Sequence, residues 1–252
     1  MTSKTALIFD ISGEYGHFRK FNTTTSPLTY SLPTPSAIYG VLGAVLGIER
    51  EDSLNKIKVG KEHLREVFSN SNASVAIRPL SEIKKVNIGF NLLDTGSYQS
   101  FFNVTNRTQI EYELLKDPNY RIFLNWDHRL RNELIERLKS KRFHFHPYLG
   151  LSQMSANIEY VGEKELSEVP NNYLDFSTAI NLSELDTENA PVDINFIKER
   201  VFQVETFPLD MQTDRTINRY GEILVEMNGD SIRAKSNKKS FAIASEGNIQ
   251  FL

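Results

Sequence analysis

The chain has 252 residues, 40% of them hydrophobic and 24% charged, which excludes wholesale disorder and leaves enough chain for one large or two ordinary domains. A net charge of -3 excludes a uniformly basic nucleic-acid binder, yet residues 1–150 carry 20 basic and 15 acidic groups while 151–252 carry 9 and 17, so different work is predicted for the two halves. The absence of cysteine removes disulfides, thiolate nucleophiles and cysteine metal knuckles, and the longest apolar run, Ala37 to Ile48, has 12 residues where a membrane span needs about 20; a cytoplasmic protein is expected.

Residues 5–11, TALIFDI, read as a buried opening strand. Ser12, Gly13 and Gly16 break it, and the adjoining Thr-, Ser- and Pro-rich stretch is predicted to be a long ordered loop. Thr34 and Pro35 form a helix start, with Thr34 capping free N–H groups and Pro35 at the first helical position. The helix is predicted to run to about Leu46 and to be buried. Its Gly40, Gly43 and Gly47 fall three and four apart, a spacing that predicts one glycine face for the close approach of another backbone.

A short helix is predicted near 51–57, strand character over 74–92, and a hairpin or arm over 93–120. Tyr120 to Trp126 reads as a core strand. Arg131 to Ser140 reads as an amphipathic helix through Leu134, Ile135 and Leu138, and a further strand is predicted within 155–166. The order strand, helix, strands, helix, strand is the split βαβ, ferredoxin-like plan, with one sheet face under two helices and the other free to meet a ligand or another domain. The fold class is therefore α+β. A ferredoxin-like domain is predicted over 1–166, an acidic linker or surface segment over 167–199, and a small, mainly β domain over 200–252.

Reactive side chains concentrate in two places. In the first, GEYGHFRK, Tyr15, His17, Arg19 and Lys20 occupy a loop after a core strand, where binding residues tend to sit. Arg19 and Lys20 suit phosphates, while Tyr15 and His17 suit base stacking or proton transfer. In the second, Lys139, Lys141, Arg142, Phe143, His144, His146 and Tyr148 interleave bases with aromatics, a pattern that pairs phosphate contact with stacking. His144 and His146 would share one side of an extended strand, but no third metal ligand stands at a suitable spacing. The sequence contains no HExxH, P-loop, GxGxxG or GxSxG motif, so no metal or cofactor is expected.

Residues 13–47, GEYGHFRKFNTTTSPLTYSLPTPSAIYGVLGAVLG, resemble the N-terminal signature of the CRISPR-associated Cas-five family in its subtype I-B form. Residues 142–162, RFHFHPYLGLSQMSANIEYVG, resemble the family's second block. The resemblance covers most of 1–166, and the rest only in general length and style.

The resemblance implies a ferredoxin-like N-terminal domain with a β-hairpin thumb, as family members have. It implies a place at the foot of the Cascade complex, a hold on the 5′ handle of CRISPR RNA, and contacts with the large subunit and the first backbone subunit. Target DNA near its recognition motif is a further expected contact. Most family members are not nucleases; subtype I-C relatives cut precursor RNA without a metal.

Phe18, Arg19, Thr23, Thr24, Thr25, Pro33 to Pro35, Tyr39, Gly40 and Pro147 to Gly150 match family positions. The expected RNA contacts are Tyr15, His17, Arg19, Lys20, Thr23 to Thr25, Lys141, Arg142, His144 and Tyr148, with Arg19, Lys20 and Thr24 on handle phosphates. The thumb, at about 87–115, adds Phe101, Phe102 and Arg107. No Tyr-Lys-His catalytic set matches, so a non-catalytic RNA-handle subunit is expected. Two alternatives stay open: a metal-independent endoribonuclease with His17 or His144 as base, and an interaction subunit that touches no RNA.

Overall fold

A computed structural model describes residues 4–21, 23, 26–49, 62–69, 71–93, 107–170, 172–185, 192–193, 199–212 and 216–252. The helix expected near 51–57, the residues Thr24, Thr25, Phe101 and Phe102, and the tip of the expected thumb lie outside them.

The central sheet has four strands in the order β3-β6-β1-β7, namely Ala73–Pro79, Asn119–Trp126, Thr5–Ser12 and Asn157–Glu165. Every neighbouring pair is antiparallel. Alternation along β1 sends Leu7, Phe9 and Ile11 to one face and Ala6 and Ile8 to the other. On the first face lie α1, Pro35–Leu46, and α3, Arg131–Ser140. They contribute Ile38, Leu42, Val45, Leu134 and Leu138 to the main core. Thr34 caps α1 as expected, its Oγ1 accepting from the Ala37 N–H at 3.3 Å, with Pro35 at the first position. A one-turn helix, α2 (Leu64–Val67), precedes β3. Strand order and crossovers together are consistent with a ferredoxin-like plan, within an α+β chain whose last third is β-rich.

The other sheet face, expected to meet a ligand or another domain, meets the C-terminal part of the chain. Ala6, Ile8, Ala76 and Phe123 pack against Ile243, Ile249 and Phe251 from the end of the chain. Arg121 fixes this cover: it donates to both carboxylate oxygens of Asp10, at 2.8 and 2.9 Å, and to both of Glu246, at 3.0 Å. That face is therefore occupied by the protein itself.

Between β3 and β6 the chain makes a hairpin from β4, Lys84–Leu93, and β5, Arg107–Lys116. They pair along their whole length, from Lys84 opposite Lys116 to Leu93 opposite Arg107. The short β2, Tyr15–Gly16, joins the base of β5. Val86, Ile88, Phe90, Ile110, Tyr112 and Leu114 share one face of the hairpin, and Lys85, Asn87, Asn91, Gln109, Glu111 and Glu113 share the other.

The stretch expected as an acidic linker or surface segment supplies short strands. β8 (Ser167–Val169) pairs with β14 (Ser240–Ile243), and β9 (Tyr173–Phe176) pairs with β13 (Ile232–Lys235) and meets β15 (Gly247–Ile249). β10 (Ile180–Asn181) pairs with β12 (Ile217–Glu226), whose other neighbour is β11 (Phe202–Met211). Phe176, Ile180 and Leu185 are buried with Ile232 and Ala234, which is why this segment is held. Phe207, Leu209, Ile223 and Val225 of β11 and β12 belong to the same core as β1 and α1.

Candidate nucleic-acid interface

The two reactive stretches, far apart in sequence, meet directly. The His17 N–H donates to the Leu149 carbonyl at 2.9 Å. Gly150 has φ +90°, and a β-carbon there would stand 1.8 Å from the His17 carbonyl oxygen. Gly13 is pressed in the same way, its virtual β-carbon 2.7 Å from Leu149 Cδ1 and 2.8 Å from the Ser155 carbonyl oxygen. Both glycines let two backbones approach at a distance that any side chain would forbid.

From this junction the chain turns out into a narrow loop. The Tyr30 N–H donates to the Phe18 carbonyl and the Lys20 N–H to the Leu28 carbonyl, both at 2.8 Å, while the Phe18 N–H donates to Thr29 Oγ1 at 2.9 Å. Arg19 is exposed on this loop, and its Nη2 donates to the Thr23 carbonyl at 2.9 Å. Thr23 Oγ1 in turn donates to the Lys20 carbonyl at 3.0 Å. The loop is thus internally built, with its guanidinium at the surface.

Lys20 does not share that position. Its Nζ lies 2.9 Å from Glu205 of β11, a carboxylate only 4% exposed. Glu205 also accepts from the Ser31 N–H at 2.8 Å and from Gln203 Nε2 at 3.1 Å, and Lys85 Nζ stands 3.4 Å away. A buried carboxylate without cations is costly, so Lys20, its side chain 22% exposed, serves this internal network.

His17 is 3% exposed. Its Nδ1 lies 2.9 Å from the Glu113 carbonyl of β5, which makes Nδ1 the protonated nitrogen, and its ring meets Tyr112 edge-on at 5.3 Å. Nε2 is buried with no hydrogen-bond partner among the described residues. Burial holds the imidazole pKa below its usual 6.5, helped by the positive charge of Arg19 and opposed by the Glu113 carbonyl. The ring is therefore neutral and sealed, unlike the solvent-facing base that the nuclease alternative needs. Tyr15 is half-buried, with Lys116 Nζ 4.4 Å from its ring centre.

Residues 143–147 form a loop, and Tyr148 bridges to Ser155 just before β7. The His144 and Phe145 N–H groups donate to the Val45 and Ala44 carbonyls, at 3.2 and 2.9 Å, and so satisfy the end of α1. Gly47 ends that helix with φ +76°, its N–H on the Gly43 carbonyl, and the His144 ring lies where its side chain would be. The single glycine face is thereby corrected. Gly47 is a left-handed cap, Gly43 faces the Leu64 side chain with a virtual contact of 2.5 Å, and Gly40 faces no other group among the described residues.

His144, Arg142 and Tyr148 are exposed, Tyr148 by 45%. Lys141 pairs with Glu159, and Arg142 Nε lies 3.4 Å from Ser140 Oγ. Arg107 sits exposed at the far end of the described hairpin, opposite Leu93. Two further aromatic groups are exposed beyond those the sequence pattern picks out. Phe145 is 53% exposed beside His144, and Phe21, 52% exposed, lies 5.1 Å ring to ring from Tyr220. Phe21 stands close enough to Arg19 and Lys20 for the aromatic-basic pattern to find it; Tyr220 comes from β12 and carries no local signal. Among the described residues, no group of three or more His, Asp or Glu side chains is placed to hold a metal ion, and no helix is long and apolar enough to cross a membrane.

A family model described as CRISPR-associated protein (Cas_Cas5) matches residues 6–225. The chain belongs to the CRISPR-associated Cas-five family. The match takes in both reactive blocks, the hairpin and the β11–β12 pair, so family membership extends past the 1–166 region that carries the sequence resemblance. A crystal structure of a CRISPR protein from Archaeoglobus fulgidus is similar over 98% of this chain and 99% of its own, with 12% identity and a TM-score of 0.56. A chain of a CRISPR RNA-guided surveillance complex is similar over 91% of each chain, with 12% identity and a TM-score of 0.51. At such identities the likeness is one of fold. No curated protein matches in sequence.

Proposed function

We propose that this Cas-five chain is a non-catalytic subunit of a type I CRISPR interference complex. It grips the 5′ handle of CRISPR RNA and joins the large subunit to the backbone, in the subtype I-B manner. The observation that carries the reading is the junction of His17 with Leu149 and Gly150. It gathers both family blocks and the hairpin base around one exposed arginine loop. The fold likeness to a chain of an RNA-guided surveillance complex supports it.

The covered sheet face bears on how RNA would be held. RNA-recognition modules stack bases on an open four-stranded sheet, but here that face meets Ile243, Ile249 and Phe251. The handle is therefore assigned to the loops and hairpin, with Arg19, Thr23, Arg107, Arg142, His144 and Tyr148 as contacts among the described residues, and Thr24, Thr25, Phe101 and Phe102 beyond them. Tyr15, His17, Lys20 and Lys141 support those contacts.

The test is incubation of the purified full chain with labelled repeat RNA in EDTA. Retention without cleavage is expected. A defined product at the repeat boundary would favour the endoribonuclease, and no retention would favour a subunit that only binds protein.

A further inference from the structure

The hairpin base and the arginine loop meet at Glu113, and three of its groups are engaged at once. Its N–H donates to the Pro27 carbonyl at 3.0 Å. Its carboxylate Oε1 accepts from the Thr29 N–H at 3.0 Å. Its carbonyl accepts from His17 Nδ1 at 2.9 Å. The first two bonds reach only the outgoing half of the loop, Pro27 and Thr29. The third links the hairpin by a side-chain hydrogen bond to the incoming half, just past the point where β2 pairs with β5, and that half is also clamped by backbone to Leu149 and Gly150. From the geometry we infer that His17 is a positioning residue, a neutral tie that sets the angle between the β4–β5 hairpin and the Arg19 loop. It thereby couples RNA grip to pH. The inference rests on the reading of this site as the RNA grip.

Both protonation states keep Nδ1–H on the Glu113 carbonyl, and they differ at Nε2. With Nδ1–H on the Glu113 carbonyl, the uncharged ring leaves Nε2 without a proton, in a buried place with no partner among the described residues. A second proton would put a charge and an unsatisfied donor there, a costly combination. The charged groups that act on it are Arg19 on its own segment and Glu113 on β5, whose carboxylate has Lys85 Nζ of β4 at 3.7 Å. Tyr112 adds a neutral ring, and Leu149 and Gly150 add no charge. Arg19 opposes protonation, and Lys85 draws on the charge of Glu113. Acidification therefore strains the joint itself, two residues from the exposed guanidinium.

The experiment uses the full chain as wild type, His17→Asn and His17→Leu. The amide of an asparagine can stand where Nδ1 does and donates without titrating, whereas leucine fills space and donates nothing. Two readings are taken between about pH 8 and about pH 5.5, spanning the range in which a histidine changes charge. One is affinity for a labelled single-stranded repeat RNA. The other is exchange protection of the Glu113 and Thr29 amides, which needs no RNA.

At pH 8 the His17→Leu chain is expected to lose both the protection and about tenfold in affinity, and His17→Asn to keep both. On acidification the wild type is expected to weaken more steeply than His17→Asn. Unchanged protection in His17→Leu, or identical pH profiles of protection for wild type and His17→Asn, would overturn the inference. If His17→Leu does not fold, the comparison of wild type with His17→Asn decides alone. Failure of the wild type to bind RNA at any pH would count against the RNA reading, while the amide protection would still judge the tie.

Discussion

Gly150 runs so close beneath His17 that a β-carbon on residue 150 would lie 1.8 Å from the His17 carbonyl oxygen. The backbone of Gly150 is also left-handed, at φ +90°. Gly150→Ala therefore meets both a forbidden contact and conformational strain, and is expected to cost at least about 2 kcal/mol. Thermal unfolding measures it. A melting temperature equal to that of wild type would mean that the two blocks are not pressed together as described.

The glycines of α1 should respond in opposite senses. Gly43→Leu meets Leu64 Cδ1, which stands 2.5 Å from the virtual β-carbon, and should destabilise by about 1–3 kcal/mol. Gly40→Ala meets nothing within 4 Å among the described residues and should stabilise by about 1 kcal/mol, because alanine replaces glycine in a helix interior. Urea titrations of the two variants, side by side, check both signs.

Arg19 and Lys20 are neighbours with different roles. Lys20→Ala leaves Glu205 with one cation fewer, and should lower stability by about 1–3 kcal/mol with little change in the salt dependence of RNA binding. Arg19→Ala should leave the fold intact and reduce the slope of log K against log[salt] by about 0.7, the value for one phosphate contact on single-stranded RNA. A Lys20→Ala chain with wild-type stability and a reduced slope would reverse the assignment.

Stability should also track the charge of His17. Burial lowers its pKa in the folded chain from 6.5, so the unfolded chain takes up the proton first as the medium is acidified. The contribution is complete above about pH 6.5 and is lost as pH falls from there through the folded-state pKa. Denaturant unfolding of wild type and His17→Asn across that range should give curves that separate on the acid side. Superimposable curves would contradict a buried neutral ring.

Much of the framework was legible because it is local. Thr34 and Pro35 announce the start of α1, the apolar run of β1 announces a buried strand, and Leu134, Ile135 and Leu138 announce the inner stripe of α3. What escaped depends on partners distant in sequence. β8, β9 and β10 have four residues or fewer, too short for alternation to register, and their pairing strands begin only at residue 217. The cover over Ala6 and Ile8 comes from Ile243, Ile249 and Phe251, so the choice between a ligand and another domain on that sheet face is made by residues far along the chain. In the site, Arg19 and Tyr148 are exposed as a binding residue should be, whereas the partner that draws Lys20 inward, Glu205, lies far along the chain. The glycine spacing on α1 is real, but each glycine meets a different neighbour, and spacing alone carries no information about that.

The central claim is that RNA lies against the loops and hairpin and is held there uncut. Ultraviolet crosslinking of labelled repeat RNA to the full chain, with peptide mapping and a check of RNA length, tests it most directly. Crosslinks in peptides containing Tyr15 to Phe21 and Arg142 to Tyr148, with the RNA at full length, are the predicted result. Crosslinks confined to other peptides, or a shortened RNA that His17→Ala restores to full length, would contradict the account.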